Sequence, residues 1–355
     1  LTTQYNLLSG EELPLQGNID FREMTNAMKA AWIGSFGGPE VLEVREVARP
    51  VPGRDDILVR VRASALNRAD LLQRQGKYPP PAGYPVEIPG IEFAGEVTET
   101  GGSVRRWKAG QRVFGLIGGA AHAEYVTTHQ DLVAEIPENL DWTEAAAIPE
   151  AFITAHDALW IQAALRPGET VLINAVGSGV GLAAVQLVRA MQAIPYGTSR
   201  TAAKLDQAKQ YGMQDGLVVR DNFDDLLAAV EQLTSGKGVN VMLDLIGGPY
   251  VKTGQKLMSL KGRMVLVGTV GGGNYELESR YVMSKRLQIR GTVLRARSLE
   301  EKIHATQAFA SEVVPLLANG ILRATIDSTF PLDQIAEAHR RLESNQSTGK
   351  VVIQI

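Results

Sequence analysis

From Pro167-Gly168 onward the chain alternates β-branched runs with stretches of helical period, and this alternation constrains the fold more than any other feature. "TVLINAV" reads as a strand and "GVGLAAVQLVRAMQ" as a helix; "AIPYGTS" and "TAAKLDQAKQYG" repeat the pair. "GLVV", "FDDLLAAVEQLTSG", "VNVMLDL", "YVKTGQKLMSL", "RMVLVGTV" and "LQIRGTV" continue it. Strands separated by helices pair in parallel, because each helix carries the chain back across one face of the sheet. A doubly wound parallel sheet follows. Pro195 suits it only as the first residue of its strand, since proline has no N–H for the ladder.

Between the first strand and the first helix lies "AVGSGVG", with Gly177, Gly179 and Gly181 around Ser178 and Val180. A dinucleotide fold needs a strand, a glycine turn that admits a pyrophosphate, and a helix N-terminus facing it. All three occur in order, although Leu182 stands where the sixth position of the fingerprint carries Gly or Ala. A plain tight turn is the alternative. About twenty residues on, an NAD enzyme carries Asp or Glu for the ribose 2′-hydroxyl. Here stand Ser199 and Arg200, with Lys204 one helical turn later. Basic groups suit a 2′-phosphate, so the expected cofactor is NADPH; a solvated helix start is the competing explanation.

The rest of the chain has another rhythm. Between Met28 and Tyr125, "ILVRVRASAL", "EFAGEVTET" and "QRVFGLIGG" are short strands among Gly/Pro breakers such as "PPPAGYPVEIPG", which suggests a rolled β-rich module. "LDWTEAAAIPEAFITAHDALW" turns helical, with Pro149 as an interruption. From about Ser298, one long helix ("LEEKIHATQAFASEVVPLLANG"), a strand, a helix and the strand "GKVVIQI" are expected to fold back onto the β-rich module.

The 355 residues carry a net charge of −3, which argues against nucleic acid as a partner. The absence of cysteine excludes disulfides, iron–sulfur clusters, thiolate zinc and a cysteine nucleophile, and leaves the redox compartment unread. No apolar run is long enough to span a membrane. Residues 1–27 are polar and acidic, unlike a signal or transit peptide, and are set apart as an extension of unknown role. The expected location is the cytoplasm.

"ALNRADLLQRQGKYPPP", "PGIEFAGEV", "AAAIPEAFITA", "SGVGLAAVQL", "LDLIGG", "LRARS" and "EAHRRLESNQSTGKVVI" resemble the zinc-free quinone oxidoreductases of the medium-chain dehydrogenase/reductase superfamily. The likeness is nearest to the tumour-suppressor-inducible subgroup, with zeta-crystallin more distant, and covers Met28 to Ile355. It implies an α/β fold: a GroES-like β-rich catalytic domain (28–150 and 294–355) and a Rossmann doubly wound sheet domain for NADP(H) (151–293). Zinc-dependent relatives have Cys where this chain has Asn67 and His where it has Ile91, and no thiol lies near Pro149 and Glu150. Metal-polarised chemistry is therefore not expected, and His122, His129 and His156 read as core or surface residues.

The resemblance further implies an interdomain cleft in which Asn67, Asp70 and Tyr78 face nicotinamide and substrate. Tyr78 is a candidate donor to developing oxygen charge, or else a loop anchor, and Asn67 a turn residue. Thr154 is expected near the nicotinamide, with Ile246, Gly247, Gly268 and Thr269 at the strand ends. Leu294, Arg295 and Arg297 are expected on the far side, and Lys350 at the cofactor's ribose or phosphates. Many relatives have a Tyr where this chain has Val219, followed by Arg220. The implied activity is NADPH:quinone oxidoreductase, with alkenal or enone reduction or non-catalytic NADPH binding as alternatives. The implied assembly is a homodimer through the last strand of the parallel sheet.

Overall fold

The computed structural model describes residues 26–220 and 223–355. The segment set apart at the amino terminus lies outside them, apart from Asn26 and Ala27. The β-rich part opens with the hairpin β1 (Ala27–Ile33) and β2 (Leu42–Ala48). Next come β3 (Asp56–Ala65), α1 (Arg68–Arg74), β4 (Glu92–Thr100), β5 (Arg112–Leu116), β6 (Tyr125–His129) and β7 (Val133–Glu135). Two helices follow, α2 (Trp142–Ala146) and α3 (Pro149–His156), with Pro149 opening the second. Proline is tolerated there because the first N–H of a helix has no partner to lose.

The strand–helix alternation becomes a six-stranded, wholly parallel sheet. Its strands are β8 (Thr170–Ile173), β9 (Ile194–Ser199), β10 (Asp215–Val218), β11 (Val239–Asp244), β12 (Met258–Leu266) and β13 (Gln288–Gly291). The helices between them are α4 (Gly179–Ala190), α5 (Ala202–Gln210), α6 (Asp224–Leu233), α7 (Pro249–Leu257) and α8 (Ser279–Lys285). The order β10-β9-β8-β11-β12-β13 reverses direction at β8, and such a switch point opens a crevice at the carboxyl ends of the strands.

The chain closes with α9 (Leu299–Glu312), α10 (Val314–Ala318), β14 (Ile326–Pro331), α11 (Ile335–Glu343) and β15 (Lys350–Gln354). β15 pairs with β3, so the last residues belong to the sheet of the first part, in the order β14-β15-β3-β4-β5-β7 with β6 also on β3.

Three details depart from the sequence pattern. The single helix expected over 299–320 is two, because Pro315 near the start of α10 cannot complete the hydrogen-bond ladder across Val313. The helix expected to reach Leu260 ends at Leu257, where Lys285 Nζ donates to the carbonyls of Lys256 and Met258, both at 2.7 Å. Pro195 is the second residue of β9, not the first. Its carbonyl accepts from Gln214 N at 2.8 Å, so its missing donor faces the same side, ahead of the ladder that begins at Asp215↔Tyr196. No bond is lost there.

One apolar core joins the two sheets, running from Phe114 through Ile148 and Phe152 to Leu182, Val185, Phe309 and Val352. Phe114 and Phe309 meet edge to face at 5.7 Å, and Phe309 is 1% exposed. Phe309→Ala is expected to cost about 3–5 kcal/mol, read as a lowered midpoint in urea denaturation.

Candidate active site

The glycine turn is built from its backbone outward. β8 stops at Ile173 because Asn174 turns its side chain into a buried network and Ala175 adopts φ 54°. Asn174 donates to Asp244 Oδ1 at 3.0 Å and accepts from Thr198 Oγ1 at 3.0 Å, which ties the ends of β8, β9 and β11 together. Burial pushes the Asp244 carboxyl above the usual carboxylate range. Its other oxygen accepts from Gly247 N at 2.7 Å and so shapes the Ile246-Gly247 turn. A Cβ on Gly247 would lie 2.6 Å from Gly272 O, and one on Gly268 2.4 Å from Leu245 O. The turns holding Ile246, Gly247, Gly268 and Thr269 therefore press together backbone to backbone.

Ser178 caps α4, its Oγ accepting from Gly181 N at 3.1 Å. A Cβ on Gly181 would lie 2.6 Å from Val176 O, so helix and strand pack there without room for a side chain. Ser178 and Gly349 form an isolated parallel bridge, with Gly349 N donating to Gly177 O at 3.1 Å and the Gly179 N–H turned toward Gly349 O. The Val180 N–H, at the start of α4, makes no hydrogen bond to a described residue. An open donor at a helix N-terminus suits an anion. A Cβ on Gly177 would meet the Lys204 stem at 2.8 Å, and one on Gly179 the Lys350 stem at 2.6 Å. These two glycines clear a path for two lysine stems, of which Lys350 carries its ammonium past the turn to Glu92. The residues present fit a pyrophosphate.

Lys350 crosses the turn and buries its ammonium on the far side. Nζ lies 2.6 Å from Glu92 Oε1, donates to Leu66 O at 3.0 Å and to Asn67 Oδ1, and lies 3.9 Å from Glu150 Oε2. Asn67 Nδ2 also donates to Glu92 Oε1, at 2.8 Å, and Glu150 N donates to Glu92 Oε2 at 2.7 Å. Lys350 and Glu92 are 5% and 0% exposed at their side chains. Burial pushes the Glu150 carboxyl up to about 7, with Lys350 pulling it down and Glu92 pushing further up. One turn along α3, Thr154 Oγ1 lies 3.5 Å from Glu150 Oε1. Asn67, Thr154 and Lys350 are thus brought together around two carboxylates, Glu92 and Glu150, that were not candidates from sequence. Glu92 sits in an alternating strand, where a carboxylate reads as the outward face; Lys350, 258 positions away, covers it.

Asp70 is fully buried and committed to backbone: it accepts from Asn67 N at 2.7 Å and Gly90 N at 2.9 Å. Burial acts upward on its carboxyl, but His122 and the backbone donor bring it below the usual range. Tyr78 is half-buried beneath Arg295, whose guanidinium lies 5.0 Å from the ring centroid. Arg295 also donates to Gly118 O at 2.8 Å, Gln73 Oε1 at 2.6 Å and Tyr78 O at 3.3 Å, which anchors the segment after β13 on the loops of the β-rich part. Leu294 packs against the shared core. Arg297 points elsewhere, in a two-pronged pair with Asp157 at 3.0 and 2.7 Å.

At the end of β9, Ser199 is buried and Arg200 exposed, and Lys204 Nζ donates to Asn345 O at 2.8 Å. Val219 is 1% exposed in the core beneath α6 and α7. Tyr250, on α7, packs in the same cluster as Val219, and burial raises its hydroxyl above the usual range while Thr198 and Arg200 act to lower it. Among the described residues no group of three or more His, Asp or Glu side chains is placed to hold a metal ion, and no helix is long and apolar enough to cross a membrane.

Residues 53–138 match the alcohol dehydrogenase GroES-like domain family and residues 179–311 the zinc-binding dehydrogenase family. The quinone oxidoreductase of Lama guanicoe is 32% identical over 92% of this chain and 97% of its own length. The chain belongs to the quinone oxidoreductases of the medium-chain dehydrogenase/reductase superfamily. The quinone oxidoreductase of Pseudomonas aeruginosa is 31% identical over 92% of this chain and 99% of its own. Among solved structures, Escherichia coli quinone oxidoreductase complexed with NADPH superposes with a TM-score of 0.81 at 27% identity, covering 93% of this chain and all of that one. An NAD-dependent alcohol dehydrogenase superposes with a TM-score of 0.80 at 30% identity, covering 92% and 100%.

The Lys350 network yields a stability test. Lys350→Met strands Glu92 as a buried charge and is expected to cost about 3–5 kcal/mol. Adding Glu92→Gln removes that charge, so the double variant regains most of the loss in urea denaturation.

Proposed function

We propose that this chain is a zinc-independent NADPH:quinone oxidoreductase, with residues 28–150 and 294–355 forming the catalytic domain and 151–293 the cofactor domain. The quinone binds between the two. The observation that carries this reading is the glycine turn before α4, with the open Val180 N–H at the helix start and the basic pair Arg200 and Lys204 beyond the next strand. NADPH, when bound, supplies the hydride. The glycine turn and the Val180 N–H hold the pyrophosphate, and Ser178 fixes the turn. Arg200 and Lys204, beside Ser199, select the 2′-phosphate. Thr154, Ile246, Gly247, Gly268, Thr269 and Leu294 frame the nicotinamide side.

Asn67 and Ile91, at positions where zinc-dependent relatives carry ligands, offer no thiolate or imidazole to a metal, so the acceptor must take a hydride readily. A quinone does, because its reduced form is aromatic; it gains a hydride and a proton and leaves as hydroquinone. Tyr78 donates a hydrogen bond to the oxygen where charge develops. Asn67 and Asp70 hold the start of α1, and with it Tyr78, in place. A second reading, reduction of an alkenal or enone double bond, is favoured by the Tyr78 hydroxyl, which has no hydrogen-bond partner among the described residues. The site would serve a small-molecule acceptor in the cytoplasm.

Two outcomes test this. NADPH should be consumed with ortho-quinones faster than with enals, and chelators should not matter. Arg200→Ala should weaken NADPH binding by about ten- to a hundredfold and leave NADH unchanged, since a hydrogen bond to a charged group contributes about 1.5–3 kcal/mol. Equal wild-type binding of the two cofactors would remove the NADPH assignment, and no turnover with any acceptor would leave a binding protein.

A homodimer completes the proposal. β13 ends the parallel sheet with an open edge, and in the segments before and after it Met283, Leu277 and Val293 are 70%, 50% and 51% exposed. An open edge flanked by apolar side chains favours pairing with a second copy. Light scattering at micromolar concentration should report twice the chain mass, and Val293→Asp should shift it toward monomer.

A further inference from the structure

Three cations with no carboxylate partner converge beyond the end of β9, and they come from both sheets' sides of the molecule. Lys204, on α5, donates to the carbonyl of Asn345 at 2.8 Å. Arg68, the first residue of α1, donates through its guanidinium to Oδ1 of the same Asn345. Asn345 takes the left-handed φ of 60° and so brackets the two cations. Arg200 is exposed and makes no hydrogen bond or ion pair to any described residue. The carboxylates near by are engaged: Glu343 accepts from Arg74 with both oxygens at 3.0 Å, and Asp327 takes a two-pronged pair from Arg341 at 2.8 Å.

Mutual repulsion shows in the side chains themselves. Burial and then Arg200 draw Lys204 below its usual pKa, and the same two causes act on Arg68. Like charges gathered around a neutral amide are a cost to the fold that a multiply charged anion removes.

We infer that Arg68 is the third arm of the terminal-phosphate site, so that the 2′-phosphate of NADPH is held by Arg200 and Lys204 from one domain and by Arg68 from the other. This rests on the cofactor reading above. Arg68 follows Asn67, whose amide bonds Lys350 and Glu92. The phosphate therefore draws the start of α1 toward the cofactor domain, next to the residues that frame the nicotinamide. NADH would leave the repulsion between Arg68 and Arg200 in place, so part of the preference for NADPH comes from relieving it.

The test uses the free chain and two probes, 2′,5′-ADP and 5′-AMP, titrated by calorimetry. Wild type should prefer 2′,5′-ADP. Arg68→Ala should weaken 2′,5′-ADP by about tenfold and change 5′-AMP by less than about twofold. Arg68→Gln, which keeps a donor for Asn345 but not the charge, should behave like Arg68→Ala, while Arg68→Lys should recover part of the loss. Unchanged 2′,5′-ADP binding in Arg68→Ala, with Arg200→Ala weakened, overturns the role of Arg68 and leaves the cofactor assignment standing. Equal weakening of both probes also overturns it, because Arg68 then only supports the start of α1. A wild type without preference between the probes removes the NADPH assignment and the inference together.

Discussion

The buried ammonium of Lys350 is the interaction on which the site depends. Its stem passes over Gly179 in the glycine turn, and its head bonds Glu92, Asn67 and Leu66 in the β-rich part. One residue earlier, Gly349 N donates to Gly177 O at 3.1 Å, so backbone and side chain fasten the same two elements. β15 therefore does more than close a sheet. It sets the distance between the turn at the end of β8 and the start of α1. A buried ion pair is weak evidence for stability in itself, because desolvation offsets attraction. Here the hydrogen bonds from Asn67 and from Glu150 N satisfy the carboxylate that remains, which is what makes the burial tolerable.

Much of the fold was legible in the sequence because it rests on local periodicity. The strand–helix alternation from Thr170 became the parallel sheet, and Pro149 interrupted the helical stretch between α2 and α3. Pro315 was as visible, but the apolar period runs through "VVPLL" unbroken and hid the junction between α9 and α10. The site was legible in part. Gly177, Ser178, Gly179 and Gly181 announce themselves by order along the chain, as do Arg200 and Lys204. Glu92, Glu150, Arg68 and Asn345 do not, because each matters through a partner far away in sequence; Arg68 and Asn345 stand 277 positions apart. No spacing rule reaches across that distance.

The glycines illustrate how a motif can be right for an additional reason. The fingerprint asks for glycine so that backbone comes near phosphate and helix near strand. Gly181 fits the second purpose, with Val176 O where a Cβ would be. Gly177 and Gly179 also make room for lysine stems from α5 and β15. Leu182, where the fingerprint has Gly or Ala, is 0% exposed in the core and faces into the apolar packing.

The cluster of Lys350, Glu92 and Glu150 has an arithmetic of its own. One ammonium faces two carboxyl groups, and with both ionised the enclosed space would carry an excess negative charge. Burial resists this by raising the Glu150 carboxyl well above the usual carboxylate range, against the pull of Lys350. Taking up a proton there brings the cluster toward electroneutrality. Glu150 therefore accepts a hydrogen more readily than an ordinary carboxylate does, one helical turn from Thr154.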